Sequence, residues 1–387
     1  MKPTLKFDDW DQPALPASSG NWLGNADEPR TVNRSAPIHD TGNLINTVGT
    51  NSSLPPVDAE QKRVVNGQAD INQLAPFKYP WAWSFFLNAN RNHWTPLEIS
   101  MAQDVHDYQH KLSPADRHVF ENVLAYLTTS DILAMRNIGL AVMEKMSAPE
   151  LQIYQARQVY EEALHTWTYQ HCIETLGIDQ REIYNRYRVV PEIHAKIALA
   201  NRRLHGVLQS GRPLTDRDAL HEFAMAYLFF AAVFEGSWFY NGFSPVFALQ
   251  RRGLMKGAAE QLQYIMRDEV LHCAFGIRVV RQLLDEENLT LDPQALRQMW
   301  DEAEAAEVAY AGYILRDPIL GYNAGLHIEQ FRFVANRRAR QLGLSEPFPG
   351  AENVLPWLDE QANLRKEKNF FETRVTEYQT GGALAWE

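Results

Sequence analysis

Two Glu-x-x-His pairs in apolar surroundings constrain the fold of this chain more than any other feature of its sequence. Each pair places a carboxylate and an imidazole one helical turn apart on the same face: Glu162 with His165, and Glu269 with His272. The flanking residues are apolar at both sites, which predicts that both helices are buried. A carboxylate and an imidazole on one buried helix face are placed to bind the same metal ion.

Two similar pairs lie in a different context. With 12 histidines and 48 acidic residues among 387 positions, chance predicts about one or two such pairs, and the sequence contains four. Asp107/His110 lies among polar residues, and Asp218 completes a capping box that Thr215 opens, ahead of His221. We predict that these two pairs lie on the solvated surface.

A single acidic residue precedes each apolar pair at a similar interval. Asp131 lies 31 residues before Glu162, and Glu235 lies 34 residues before Glu269, each in an apolar helical segment. An unpaired buried carboxylate costs several kcal/mol, so it protonates, pairs or binds a cation. Two divalent metals would neutralise four carboxylates, and two imidazoles complete a ligand set suited to iron or manganese. One carboxylate on each of two helices, with Glu-x-x-His on the other two, predicts a di-metal site.

Residues near the ligands extend this predicted site. Tyr169 follows His165 by four residues and projects from the same helix face, either as a redox-active group or as a core tyrosine. Glu161 lies four residues before His165 and is an alternative to Glu162 as the ligand. Three apolar side chains at helical spacing from the ligand acids would form a dry wall beside the metals: Phe239, Phe243 and Ile265.

Helix-start signals organise the rest of the chain. Thr95 with Glu98 forms a capping box with proline at the first helical position. Further start signals are Ser113 with Asp116, Ser147 with Glu150, Thr215 with Asp218, and Asp292 with Pro293, and Gly177 is a stop signal. No alternating strand pattern accompanies them, so we predict an all-α bundle of about eight helices over residues 76–345. Residues 1–75 are predicted to form an extended arm and residues 346–387 a flexible tail.

Charge and cysteine content narrow the class of protein. A formal net charge of -11 argues against a nucleic-acid partner. Two cysteines cannot form a disulfide framework, and the first ten residues do not resemble a signal peptide, which favours a reducing cytoplasm. The longest apolar stretch, residues 224–234, is about half of the ~20 residues that a membrane helix needs. We therefore predict a cytoplasmic protein with neither a nucleic-acid nor a membrane partner.

Taken together, these residues resemble the small, radical-generating subunit of class I ribonucleotide reductases, in the ferritin-like di-metal carboxylate superfamily. The resemblance runs from about Lys62 to the C-terminus. It rests on Trp94, on Asp131, on Glu235 with Phe239 and Phe243, and on four longer motifs: Lys78-Tyr-Pro-Trp-Ala-Trp83, Glu162-Ala-Leu-His165, Arg267-Asp-Glu-Val-Leu-His272 and Glu372-Thr-Arg-Val-Thr-Glu-Tyr378. It implies a ferritin-like bundle that binds two metals per chain. It assigns one metal to Asp131, Glu162 and His165, and the other to Glu235, Glu269 and His272.

The resemblance also implies a route for an oxidant. Tyr169 stands where the family places its radical tyrosine, and Asp268 where a carboxylate links His165 to Trp94. Tyr378 matches the tail tyrosine that passes the oxidant to a separate large subunit, which reduces ribonucleotides to deoxyribonucleotides for DNA synthesis. The expected partners are this large subunit, through the C-terminal tail, and a second copy of the chain in a homodimer.

Two departures from one branch of the family bear on the metal. The chlamydial-type branch uses a manganese/iron centre and has phenylalanine where Tyr169 stands and glutamate where Asp131 stands. Both differences favour a tyrosyl radical on a di-iron site. A manganese-only branch also keeps the tyrosine, so Mn/Fe and Mn/Mn stay open as alternatives.

Two other functions fit a helical di-metal protein. A stand-alone di-metal oxidase would act on a small organic substrate, but it gives no purpose to Trp94, Asp268 and the tail residue Tyr378. A ferritin-like iron store would take up many irons per chain and would need a closed shell of subunits. We therefore favour the reductase subunit.

Overall fold

The fold is all-helical, which confirms the predicted class. The computed structural model describes residues 62–65, 78–205 and 214–363, and within these ranges the only strand-like pairing is an isolated bridge between Ile319 and Tyr322. The α-helices of the described ranges are α1 (Pro80–Ala89), α2 (Ala102–His110), α3 (Pro114–Asn137), α4 (Met143–Lys145), α5 (Pro149–Leu176), α6 (Gln180–Val189), α7 (Pro191–Leu204), α8 (Arg217–Leu228), α9 (Tyr240–Gly242), α10 (Ser244–Arg251), α11 (Lys256–Glu286), α12 (Pro293–Ile314), α13 (Ala324–Gln341) and α14 (Pro356–Asn363). A 3₁₀ turn (Pro96–Glu98) and two π-helices, π1 (Ile138–Val142) and π2 (Phe229–Phe239), complete the set.

Two helix pairs form the centre of the bundle. Helix α3 packs against α5, and helix α11 packs against π2, while α5 also contacts α11. The four elements are the ones that carry the predicted ligands. Their inner faces are buried, so the hydrophobic core surrounds the predicted site.

The run Arg217–Arg251 is the most apolar helical segment of the described chain. It is long and apolar enough to cross a membrane, but 94% of its most apolar window is buried inside the protein. Its middle is the π-helix π2, where the Ser237 hydroxyl donates a hydrogen bond to the Ala232 carbonyl at 2.7 Å. π-Helices often occur at functional sites, and this one contains Glu235.

Helix α2 anchors the start of α11. The Asp104 carboxylate accepts hydrogen bonds from the main-chain nitrogens of Gly257 and Ala258, both at 2.9 Å. Asp107 accepts one from the Met255 nitrogen at 3.2 Å. Acidic groups at a helix N-terminus satisfy otherwise unpaired N–H groups and favour its dipole. The prediction that Asp107 lies on the solvated surface is therefore wrong, although His110 is exposed as expected.

The packed part of the chain extends past residue 345, where we placed the start of the tail. Leu355 and Leu358 are buried, and the Tyr240 hydroxyl donates to Asp359 of α14 at 2.6 Å. Apolar burial and this contact hold residues 346–363 on the bundle. Of the predicted arm, the structure describes residues 62–65, in which Val64 is fully buried.

Candidate metal centre

Four helical elements bring the six predicted ligands into one buried cluster. Helix α5 supplies Glu162 and His165 one turn apart, and α11 supplies Glu269 and His272 in the same way. Asp131 comes from α3 and Glu235 from π2. Each of the six is at most 1% exposed, which excludes solvent as their partner.

Two carboxylates lie between the two imidazoles. His165 Nδ1 lies 3.5 Å from Glu162 Oε2 and 3.2 Å from Glu269 Oε1. His272 Nδ1 lies 3.2 Å from Glu162 Oε1 and 3.5 Å from Glu269 Oε2. Each carboxylate therefore presents one oxygen to each histidine.

The other two carboxylates each face one histidine. Asp131 Oδ2 lies 3.9 Å from His165 Nδ1, and Glu235 Oε2 lies 3.5 Å from His272 Nδ1. Two groups of donor atoms result, each with its atoms within 4.8 Å of one another: Asp131, Glu162 and His165, and Glu162, Glu235, Glu269 and His272. The resemblance assigned Glu162 to one metal position, whereas the structure includes it in both groups of donor atoms.

The donor atoms fit divalent cations. Within the described chain no hydrogen bond satisfies the eight carboxylate oxygens or the Nδ1 atoms of the two histidines. Burial, and then the neighbouring acids of the cluster, raise the pKa of Asp131 and of Glu235. Four acids and two imidazoles so arranged are costly without positive charge, and two divalent metals would balance the four carboxylates.

A further carboxylate contacts the Nε2 atom of each imidazole, on the side of the ring opposite Nδ1. His165 Nε2 lies 3.2 Å from Asp268 Oδ2, which also accepts from Trp94 Nε1 at 3.4 Å. His272 Nε2 lies 2.9 Å from Glu161 Oε2. Such partners orient the ring of a ligating histidine and fix its tautomer. The structure thus brings Trp94 and Asp268 together as the resemblance implied.

Glu161 is the residue whose position the sequence left open. The structure turns it away from His165 and towards His272, where Arg157 Nε donates to its other oxygen at 2.8 Å. Glu162 takes the position between the imidazoles. The four-residue spacing of Arg157 and Glu161 was the only sequence signal for this role.

Tyr169 lies beside the cluster with its side chain fully buried. Burial, and then the Asp131 carboxylate, raise the pKa of the Tyr169 hydroxyl, so the phenol is protonated at neutral pH. The three predicted wall residues, Phe239, Phe243 and Ile265, are also fully buried. Their burial is consistent with the predicted dry wall, which stays a prediction.

Tyr264 is a further aromatic residue, next to Trp94. Its ring stacks on that of Trp94, with centroids 5.3 Å apart and planes 18° apart. The tail residue Tyr378 and the motif around Glu372 lie outside the described residues.

The fold and this cluster define a helical-bundle protein with a buried carboxylate and histidine centre for two metals. A family model described as "Ribonucleotide reductase, small chain" matches residues 71–356. The chain therefore belongs to the ribonucleotide reductase small-chain family, and it is the small subunit of a class I enzyme of this kind.

Individual relatives agree with this assignment. The chain is 37% identical to the ribonucleoside-diphosphate reductase subunit beta of Chlamydia pneumoniae, over 86% of this chain and 97% of that protein. It is 31% identical to the small subunit from Dictyostelium discoideum, over 80% of this chain and 87% of that protein.

Solved structures share the fold. The R2 subunit from Clostridium botulinum superposes with a TM-score of 0.70 at 23% identity, over 78% of this chain and 95% of that one. The Saccharomyces cerevisiae Rnr4 homodimer gives a TM-score of 0.64 at 20% identity, over 76% and 88% of the two chains. Dimanganese(II)-NrdF from Streptococcus sanguinis gives 0.58 at 20% identity, over 73% and 95%.

Proposed function

We propose that this subunit generates and stores the oxidant that a large subunit uses to reduce ribonucleotides. The observation that carries the proposal is the buried cluster in which Glu162 and Glu269 each face both histidines. When bound there, two metal ions supply one-electron oxidising chemistry with an oxygen species. We propose Fe/Fe as the native pair, because Tyr169 and Asp131 are both present, with Mn/Fe and Mn/Mn as the alternatives.

Six residues would hold the metals. Asp131 and His165 would bind one ion, and Glu235 and His272 the other. Glu162 and Glu269, each of which faces both histidines, would contribute to both positions. The carboxylates and the neutral imidazoles suit iron and manganese equally, so metal supply contributes to the choice.

Tyr169 would be the residue that stores the oxidant. Its phenol would be the electron donor, and the Asp131 carboxylate, whose charge acts on this hydroxyl, would be the acceptor of its proton. The raised pKa of this phenol supports the proposal, since Tyr169 enters the step protonated. The buried rings of Phe239 and Phe243, together with Ile265, would keep water away from the radical.

Export of the oxidant would use the second partner of His165. Asp268 accepts hydrogen bonds from both Trp94 and His165, so it links an oxidisable ring to a ligand. Tyr378 would then receive the oxidant at the interface with the large subunit. We place the docking tail after residue 363, because residues 346–363 pack on the bundle.

We further propose a cytoplasmic homodimer. Both cysteines, Cys172 and Cys273, are unpaired and buried, in keeping with a reducing compartment. Large apolar side chains are exposed on neighbouring helices α3 and α5: Ile132 at 42%, Tyr160 at 50% and Trp167 at 43%. Such a face favours burial against a second copy.

Low-temperature EPR with metal counting on the same sample tests the proposal. After anaerobic Fe(II) loading and exposure to oxygen, we expect about two irons per chain and a narrow tyrosyl signal. Tyr169→Phe should bind the same amount of iron and lose the signal. An unchanged signal in Tyr169→Phe would assign the radical to another residue, and two irons without any organic radical would favour manganese or mixed-metal storage.

Tyr378→Phe separates the reductase subunit from a stand-alone oxidase. We expect this variant to form the Tyr169 radical normally and to lose ribonucleotide reduction with the large subunit, because only the export step is removed. Full turnover in Tyr378→Phe would contradict the proposed route.

A further inference from the structure

The carboxylates behind the two ligand histidines are both attached to one loop. This loop, Ala89–Trp94, starts at the last residue of α1 and leads towards the 3₁₀ turn. Asp268 orients His165, and Glu161 orients His272, through contacts of 3.2 and 2.9 Å. The groups that hydrogen-bond to these two carboxylates therefore determine the orientation of the two imidazole rings.

Asn92 holds Asp268 through its side-chain amide. The amide nitrogen Nδ2 donates to Asp268 Oδ1 at 2.5 Å and to the Tyr264 main-chain oxygen at 3.1 Å. Trp94, on the same loop, donates to the other oxygen of Asp268. Donors from one loop on both oxygens fix the rotation of the carboxylate that faces His165.

Arg157 donates hydrogen bonds both to Glu161 and to the main chain of the same loop. Its Nε donates to Glu161 Oε1 at 2.8 Å. Its terminal nitrogen NH2 donates to the Ala89 carbonyl at 3.4 Å and to the Asn92 carbonyl at 3.5 Å. A planar guanidinium can make both contacts at once, whereas an ammonium is a single point charge.

We infer that Asn92 and Arg157 are positioning residues for the two metal positions, and that the loop Ala89–Trp94 couples the orientation of His165 to that of His272. The inference rests on the proposed metal ligation. Arg157 fixes the main chain of Asn92, whose side chain fixes Asp268. Loss of Arg157 therefore releases both imidazoles, whereas loss of the Asn92 amide releases only His165.

Titration of the metal-free, full-length protein with Mn(II) tests the inference, with bound and free Mn(II) distinguished by EPR. Asn92→Ala should weaken the binding of one Mn(II) ion, and Arg157→Met should weaken both. Loss of an orienting partner typically lowers metal affinity about 10- to 100-fold. Asn92→Ala combined with Arg157→Met should bind no more weakly than Arg157→Met alone, because the arginine has already released the loop.

Two further variants separate positioning from general damage to the fold. Arg157→Lys keeps a cation beside Glu161 but cannot also reach the loop, so it should weaken one ion only, as Asn92→Ala does. Asn90→Ala is the matched control, because the Asn90 amide donates to the Phe86 carbonyl of α1 and, within the described residues, to neither Asp268 nor Glu161. It should bind Mn(II) like the wild type. Circular dichroism of each metal-free variant checks that the helices form.

The outcomes distinguish this inference from the proposed function. If the wild type binds fewer than two Mn(II) ions, or if Glu162→Gln binds them normally, the proposed metal site fails. If the wild type binds two, Glu162→Gln does not, and Arg157→Met loses only one ion, then the coupling through the loop is wrong. Effects of Asn92→Ala and Arg157→Met that multiply in the double variant would also overturn it.

Discussion

At the scale of single residues, the position after Glu235 leaves no room for a side chain. A Cβ on Gly236 would lie 2.6 Å from Cys273 Sγ and 2.8 Å from the Ala231 carbonyl oxygen. The Gly236 carbonyl accepts a hydrogen bond at 2.7 Å from Nε of Arg338, a fully buried residue of α13. Glu235 is therefore held by close packing of its own backbone against α11 and α13.

Gly236→Ala is expected to destabilise the protein and to weaken metal binding. Overpacking of this kind costs about 1–3 kcal/mol, and relief of the clash would shift π2 and Glu235 with it. Urea unfolding measures the first effect and Mn(II) titration the second. The control is Gly312→Ala in α12, where a Cβ would meet nothing within 4 Å. That change should stabilise the helix by about 0.5–1 kcal/mol, and equal effects of the two substitutions would contradict the packing argument.

At the scale of elements, the predicted helix caps were confirmed where the capping hydrogen bond joins residues close together in the sequence. Asp292 caps α12, and Gly177 ends α5 in the left-handed conformation at φ 71°. Thr95 is a cap as predicted, but it accepts from the Leu97 nitrogen rather than from that of Glu98, and it caps only the 3₁₀ turn Pro96–Glu98. Ser113 and Asp116 form the predicted reciprocal box: each side chain accepts from the other residue's main-chain nitrogen, both at 3.1 Å. These contacts span two or three residues, so sequence spacing alone predicts them.

The predicted N-caps of α5 and α8 were wrong, for a different reason in each helix. Helix α5 has Ala148 at its N-cap position, and Glu150 instead accepts from the Lys78 and Tyr79 nitrogens at the start of α1. Helix α8 is capped by Asp216, one residue after the predicted Thr215. The Glu150 contact crosses more than 70 residues of sequence, which no local pattern encodes.

A buried ion pair joins α7 to α12. Lys196 Nζ lies 2.5 Å from Glu307 Oε2, and both side chains are fully buried. The ammonium also lies 4.0, 4.4 and 4.8 Å from the ring centroids of Tyr126, Tyr310 and Trp238. Burial raises the pKa of Glu307, but Lys196 and His327 outweigh it and lower this pKa to about 2.

Lys196→Met is expected to cost about 3–5 kcal/mol in the free energy of unfolding, because it leaves a buried carboxylate without its cation. Lys196→Met combined with Glu307→Gln should recover much of this loss, since the pair is then neutral. Urea unfolding at neutral pH measures both. In the wild type, the stability from the lowered pKa of Glu307 is complete above about pH 4.3, its unfolded value, and is lost as the pH falls towards about 2. A double variant as unstable as the single one would contradict the ion-pair argument.

At the scale of the whole molecule, the exposed apolar face on α3 and α5 is the expected contact of two copies. Trp167→Glu would place a charge where the proposed interface excludes water, so we expect a shift from dimer to monomer at low micromolar concentration. Analytical ultracentrifugation measures the shift. Leu320→Glu is the control, because Leu320 is 76% exposed in the connection between α12 and α13, and it should leave the dimer intact. A Trp167→Glu protein that stays dimeric would place the interface on another face.

The sequence by itself determined the helical class and predicted the six residues that the structure brings into one buried cluster. The two Glu-x-x-His pairs are one turn apart, where helix geometry fixes which side chains share a face, and Asp131 and Glu235 follow from their acidic positions in apolar helices. Only the tertiary structure decided that Glu162 faces both histidines, that Glu161 supports His272, and that Arg157 and Asn92 meet at one loop. Asn92 lies 65 positions from Arg157 and 176 from Asp268. Glu161 and His272 lie 111 positions apart. Packing of helices in three dimensions creates such contacts, and spacing along the chain carries no record of them.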